Sequence, residues 1–486
     1  MKRVRPDTTV IDARQRLVVP GFIDAHIHFL AGGLGLSSVA LRDANTPRDF
    51  TERIARFANA KPAGTWIRNG DWDHERWGGE LPTREWIDAA TPDHPVWVNR
   101  LDGHMSLANS AALRAAGITR DTPDVDGGTI VRDAHGEPTG ILKDNAQSLV
   151  NGVAPSPTDR ELDEALAAAS RFVASHGVTS VHHMGTWEDL AVFERAHRAG
   201  TLATRMYAAV PIHTWERLRD VVAERGRGDD WLRIGALKGF VDGSLGSHTA
   251  AMLEPFDDAP GDRGLFVNTV DDLYRWTLSA DAAGLNMIVH AIGDRAIRTQ
   301  LDVYERVIRE NGPRDRRFRI EHAQHLSAQD LPRFATLGVI ASAQPYHAID
   351  DGRWAERVIG RERAKLTYAF RSLLDAGARV AFGSDWFVAP PTPLEGIYAA
   401  VTRRTLDGAN PGGWFPEQRI TVDEALRAYT REAAFASFEE TLKGVLKPGM
   451  VADFAVVDRD ITRIPPEEIA DAKIVMTAIG GRLVHE

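Results

Sequence analysis

The chain has 486 residues, 43% hydrophobic and 26% charged, a balance that excludes wholesale disorder and leaves ample length for a buried core. With 58 basic against 68 acidic residues the formal charge is −10, which argues against nucleic acid or an anionic membrane as the main partner. Cysteine is absent, so disulfides, thiolate nucleophiles and cysteine-type zinc or iron–sulfur sites are excluded; any metal must use His, carboxylate or modified Lys. The start, MKRVRPDTTVIDARQ, is basic with no apolar stretch behind it, so no signal peptide is expected. No apolar run approaches the ~18 residues of a membrane span. The expectation is a cytoplasmic protein acting on a small molecule. Its oligomeric state stays open, a homodimer included.

In chain order the predicted strands are GFIDAHIH (21–28), VTSVHH (178–183), TRMYAAV (204–210), LRIGALKGFVD (232–242), LNMIVH (285–290), FRIEH (318–322), GVIASAQ (338–344) and ARVAFGSD (378–385). Helical patterns lie between them, as in 161–175, 271–283 and 366–376. Eight short buried strands, mostly followed by helices, predict an α/β fold of the (β/α)8 TIM-barrel type, with a doubly wound sheet as the plainer alternative. A Trp-, Pro- and Gly-rich insertion over 30–160 separates the first two strands and is long enough to have structure of its own. Thr421 and Glu424 have capping-box spacing. Beyond them, GVLKPGMVADFAVVDRD and KIVMTAIGGRLV read as strands of a small β domain. The expected division is 1–19 and 436–486 for that β domain, and 20–435 for the barrel with its insertion.

Enzymes on such a barrel carry their reactive groups at the C-terminal ends of the strands. The first strand ends in His26 and His28, whose period-2 spacing turns both side chains to one side, where one metal can take both. Alone, the pair is a weak signal and reads more readily as two surface or hydrogen-bonded histidines. Lys238 lies in the fourth strand, and His290, His322 and Asp385 end the fifth, sixth and eighth. One βα unit separates His290 from His322, and two separate His322 from Asp385, leaving room for the Gln344 strand as the seventh.

An ammonium repels a cation, so Lys238 needs explanation. Carboxylated on Nζ, it becomes a carbamate whose two oxygens can bridge two ions; the alternative is a plain lysine paired with Asp242 beside one ion. Lys143 is a rival bridge but precedes the second strand. GGLG (32–35) reads as a bend, not a phosphate cradle.

The strings PGFIDAHIH, RLDGHMSLANSAAL, GVTSVHHMG, LKGFVDGSLGSHTA, VHAIGDRAI, RIEHAQ, SAQPYH, FGSDW and GVLKPGMVADFAVVD resemble the amidohydrolase superfamily, in the branch that includes N-substituted formamide deformylases. The resemblance implies one metal on His26, His28 and Asp385, a second on His290 and His322, and Lys238 bridging, with zinc or a similar divalent ion; a single ion is the alternative. The expected reaction is hydrolysis of an amide or formamide C–N bond by a metal-activated water, with Asp385 as general base and acid. A lactonase or esterase, a deaminase, and a non-catalytic metal-binding scaffold are the rivals; a deaminase normally has Glu where this chain has Gly293.

Substrate-contact candidates are Trp72, Asp73, Asp102 and His104 in the insertion, with Asp242 and His347 after the fourth and seventh strands. Trp72, Trp77, Trp86 and Trp97 also read as insertion core. Two features depart from the family. His182-His183 stands where His-Asp is common. Only one or two strands, such as TTVIDA and RLVV, fit before His26, so either the native start lies upstream or the β domain is reduced, with sheet edges open to pairing.

Overall fold

The computed structural model describes residues 10–486. Its centre is eight parallel strands: β1 (Phe22–Ile27), β2 (Val178–Met184), β3 (Arg205–Pro211), β4 (Leu232–Phe240), β5 (Asn286–Ala291), β6 (Arg319–His322), β7 (Ile340–Ala343) and β8 (Arg379–Phe382). Each pairs with its neighbour in sequence from β1 to β8. A doubly wound sheet would reverse its order at a switch point, so consecutive pairing identifies the (β/α)8 barrel. β1 and β2 are buried at every position, as strands covered on both faces must be.

The seam between β8 and β1 carries no strand ladder among the described residues. Loop backbone closes it instead: His26 O accepts from Asp385 N (2.7 Å), and Trp386 O from His28 N (2.7 Å). Asp24 Oδ1 accepts from both His26 N (3.2 Å) and Ser384 N (2.9 Å).

Helices of the outer ring begin at the capping boxes Thr158/Glu161, Thr186/Asp189 and Thr421/Glu424. Two local expectations need correction. The stretch 366–376 is helical only over Phe370–Asp375, since Tyr368, at φ 52°, interrupts it. GGLG is no bend but part of the helix Phe29–Gly35. A Cβ on Gly32 would lie 2.4 Å from the Trp386 ring, and one on Gly33 would lie 2.4 Å from Ala165 O. These glycines serve close approach, not a turn.

Between β1 and β2 the insertion forms a second sheet of Ile67–Arg68, Val96–Asn99, Met105–Ala108, Gly128–Arg132 and Pro138–Asp144. Phe50, Trp72, Trp77 and Trp86 pack against one another there with ring centroids 5.6–6.4 Å apart. Trp97 joins a separate cluster with Leu113 and Ile118, its Nε1 donating to Asn151 Oδ1 (2.8 Å).

The two ends of the chain meet in an antiparallel sheet ordered Leu17–Pro20, Phe454–Val457, Ile474–Ile479, Arg482–His485. RLVV supplies the N-terminal strand. TTVIDA begins outside the described residues, and its described part forms no strand. Both outer strands lack a further partner among the described residues, and Val18 and Val484 are exposed.

Candidate metal centre

The strand ends bring His28, Lys238, His290, His322 and Asp385 to one cavity, with His26 fully buried against Asp385 and Lys238. Donor atoms of His26, His28 and Asp385 lie within 4.8 Å of one another, as do those of His322, His347 and Asp385. Asp385 Oδ1 is 3.3 Å from Nε2 of both His26 and His28, and Oδ2 is 3.9 Å from His322 Nδ1. Lys238 Nζ lies 3.4 Å from His26 Nε2. The His290 ring centroid is 4.6 Å from that of His322. His347, read from the sequence as a substrate contact, thus comes within 4.8 Å of Asp385 and His322, the same limit that holds among His26, His28 and Asp385. Both His322 (φ 70°) and Asp385 (φ 62°) occupy the left-handed backbone region, a local strain typical of functional positions.

Three of the imidazoles are oriented from behind, which decides the nitrogen each offers. His26 Nδ1 donates to Glu321 Oε2, leaving Nε2 free. His322 Nδ1 donates to Gln344 Oε1 (2.8 Å), again freeing Nε2. His290 Nε2 donates to Gly243 O (2.9 Å), leaving Nδ1. Such outer hydrogen bonds are how proteins aim metal-binding histidines. Burial, then neighbouring positive charge, holds His290 and His322 well below the usual imidazole range, so both are neutral. Burial opposes ionisation of Asp385, but His26, His28 and His322 outweigh it and hold the carboxyl well below its ordinary range. Neutral imidazoles and an ionised carboxylate are what a divalent cation requires, so the residues fit one. Burial lowers Lys238 to about 8; its Nζ faces His26 and not Asp242.

Beneath the cluster lies a charged layer that the sequence reading missed. Arg319 donates from Nε to Glu321 Oε1 (2.7 Å), from NH2 to Ser342 Oγ (3.0 Å), and from NH1 to His182 Nδ1 (2.9 Å). Burial opposes the Glu321 charge, yet Arg319 and His26 hold the carboxyl at about 2. The available signal was two charged residues inside the short apolar strand FRIEH. His182 therefore belongs to this layer, while His183 Nδ1 accepts from Phe29 N (3.1 Å).

The cavity, of about 190 Å³, is walled by Asp102, His104 and His347 together with Arg100, Phe240, Ser244, Asp351 and Trp354. Asp102 accepts from Arg100 NH1 (2.6 Å), Ser247 Oγ (2.9 Å) and Ser244 Oγ, and stands at about 2, because Arg100 and then His104 outweigh its burial. His104 is paired with Asp144 (2.6 Å), and its ring lies 4.9 Å from His290. The other candidates lie elsewhere. Trp72 is fully buried in the insertion, its Nε1 donating to Val98 O (2.9 Å). Asp73 ties the insertion to the barrel through Arg353 (3.0 Å). Asp242 accepts from the backbone of Ala251, Ile292 and Gly293 at 2.8–3.0 Å, pinning the turn after His290. Lys143 Nζ donates to Ser247 O (2.7 Å).

Residues 9–485 match the sequence model of the amidohydrolase family. The chain belongs to that family. Protein LONG AFTER FAR-RED 3 of Arabidopsis thaliana is 40% identical over 98% of this amidohydrolase and 84% of its own length. The N-substituted formamide deformylase of Arthrobacter pascens is 32% identical over 99% of this chain and 90% of its own. Among solved structures, an uncharacterized metal-dependent hydrolase from Pyrococcus horikoshii superposes with a TM-score of 0.75 at 29% identity, covering 94% of this amidohydrolase and 89% of that chain. The chain is therefore a hydrolase of the metal-dependent, C–N-bond class, built on the barrel that its sequence predicted.

Proposed function

We propose that this amidohydrolase cleaves the C–N bond of a small amide or formamide at a two-ion centre. His26, His28 and Asp385 would hold one ion, His290 and His322 the other, with Lys238 bridging as the Nζ-carbamate. The observation that carries the reading is the convergence of three outward-aimed imidazole nitrogens, the ionised Asp385 and the buried Lys238 on one cavity. The 32% identity to a formamide deformylase supports a C–N substrate.

Divalent ions, zinc by the nitrogen-rich donor set, would supply an acidified water and polarise the scissile carbonyl. Asp385 is set to move the proton. Its carboxylate sits between the two histidine groups, takes the proton of the attacking water, and returns it to the departing nitrogen. Burial of Lys238 favours the free amine, which adds CO₂ with loss of a proton to give the carbamate.

Metal content per chain after chelator-free purification, with intact mass and hydrolysis of a panel of N-substituted formamides, tests this. The expected result is near two divalent ions, reduced by Lys238→Ala together with activity. One ion, unaffected by that substitution, would favour a mononuclear site. No tightly held metal, even after supplying zinc and bicarbonate, would sink the mechanism.

A further inference from the structure

Beyond the cluster, the cavity follows one face of the helix Pro345–Asp351. His347 and Asp351 are four residues apart, so they share that face, separated by about 6 Å of helical rise. Both line the cavity. His347 marks the reacting end: its ring is stacked 6.5 Å from His322, it is 9% exposed, and its Nε2 has no hydrogen-bond partner.

Asp351 marks the far end. Its Oδ2 accepts from Gln324 Nε2 (2.9 Å) and the Tyr368 hydroxyl (2.5 Å), both uncharged, while no described donor reaches Oδ1. The neighbouring charges in the wall are already matched, Arg100 by Asp102 and Asp350 by Arg353. Outside the metal cluster, Asp351 is thus the cavity-lining carboxylate with no ion pair among the described residues, Arg100 and Arg353 acting on it only from a longer range. Trp354, whose backbone N–H donates to Asp351 O (2.9 Å), adds an indole to the same wall. Leu101, Phe240, Leu245, Ile292 and Val388 make other parts of the lining apolar. An unmatched carboxylate beside an indole is a receptor for a cation, and the apolar lining suits a short methylene chain.

We propose that Asp351 and Trp354 receive an ammonium group, and that the substrates are small monoacylated diamines, with the amide at the cluster and the free amine about one helical turn away. This rests on the C–N hydrolase reading of the cluster. Burial, with repulsion from Asp350, holds the Asp351 carboxyl at about 7 against the Tyr368 hydrogen bond and the more distant Arg100 and Arg353, so an ionised Asp351 gains by accepting a closer cation.

The test uses the zinc-loaded full chain and two inert probes in which a sulfonyl group replaces the scissile carbonyl: mono-N-methanesulfonylputrescine and N-pentylmethanesulfonamide. They differ only in an ammonium against a methyl. In calorimetric titration the ammonium probe is expected to bind roughly 30-fold tighter or more, the scale of a desolvated charge pair, and Asp351→Asn to erase the difference. Equal affinity of the two probes, or no binding of the ammonium probe, overturns the proposal. Circular dichroism checks that Asp351→Asn folds; should it not, the comparison on the unaltered chain decides alone. Hydrolysis of the corresponding formamides is read separately. Binding of the ammonium probe without cleavage of either formamide keeps the amine site and removes the C–N reading.

Discussion

Glu321 accepts a hydrogen bond from His26 Nδ1 with one carboxylate oxygen and from Arg319 Nε with the other (2.7 Å). The carboxylate fixes the tautomer that turns His26 Nε2 toward Asp385, and Arg319 anchors the carboxylate to β7 through Ser342. Outer partners of this kind set ligand orientation and basicity.

Glu321→Gln keeps the shape and removes the charge. It is expected to weaken metal affinity by roughly 10–100-fold, measured by competition against a chelator. Glu321→Ala leaves the buried Arg319 without either the countercharge or the acceptor and should lower stability by about 3–5 kcal/mol in urea unfolding. Unchanged affinity in the Gln variant would mean that a neutral acceptor aims His26 as well as the carboxylate does.

Gly32→Ala tests how the helix Phe29–Gly35 positions Asp385. The new methyl would meet the Trp386 ring at 2.4 Å, and that ring is already packed between Phe29 and Phe172. Alanine gains about 1 kcal/mol of helix propensity, but overpacking a core typically costs about 1–3 kcal/mol. The Trp386 backbone is joined to His28 across the barrel seam, and Asp385 is its neighbour. The expected outcome is a lower melting temperature together with reduced metal content. A variant as stable as the parent with full metal would show that the ring can give way.

The barrel, and the meeting of the candidate donor side chains at its strand ends, were legible because both follow from short-range rules. Apolar runs ending in polar residues gave the strands, and His26 and His28 followed from strand alternation. The Asp102 and His104 wall was partly legible through the string RLDGHMSLANSAAL, on which the family resemblance rests. What stayed hidden depends on distant packing. Trp72 could not be told from a ligand platform until Phe50, Trp77 and Trp86 were seen to enclose it. Asp73 finds Arg353 some 280 residues away, a pairing that no local pattern encodes. GGLG misled because its glycines answer to Trp386 and Ala165, not to a turn.

Asp102 gives stability a defined acid dependence. Its carboxyl titrates at about 2 in the folded chain, against an ordinary 3.8. A carboxyl whose folded value is depressed contributes stability that is present above its unfolded value and lost as pH falls through the folded one. The Arg100–Asp102 contribution is therefore expected to fade between about pH 4 and 2. Asp102→Asn should be less stable than the parent near pH 6, and the gap should narrow across that window in paired thermal melts. A gap constant with pH would assign the loss to the Ser244 and Ser247 hydrogen bonds instead.

Asp73 fastens the insertion to the barrel. It is 1% exposed, caps the short helix His74–Trp77, and bonds Arg353 (3.0 Å), with Arg100 NH2 at 3.8 Å. Asp73→Ala leaves Arg353 with Asp350 but removes the tie between the cavity wall and the helix that carries His347 and Asp351. Breaking a buried pair from one side typically costs about 3–5 kcal/mol, and the surviving Asp350 contact places this case toward the lower figure. Because Asp73 is outside the cavity lining, its loss should act through wall geometry, raising KM more than it lowers kcat. A collapse of kcat at unchanged KM would instead put Asp73 in the reaction itself.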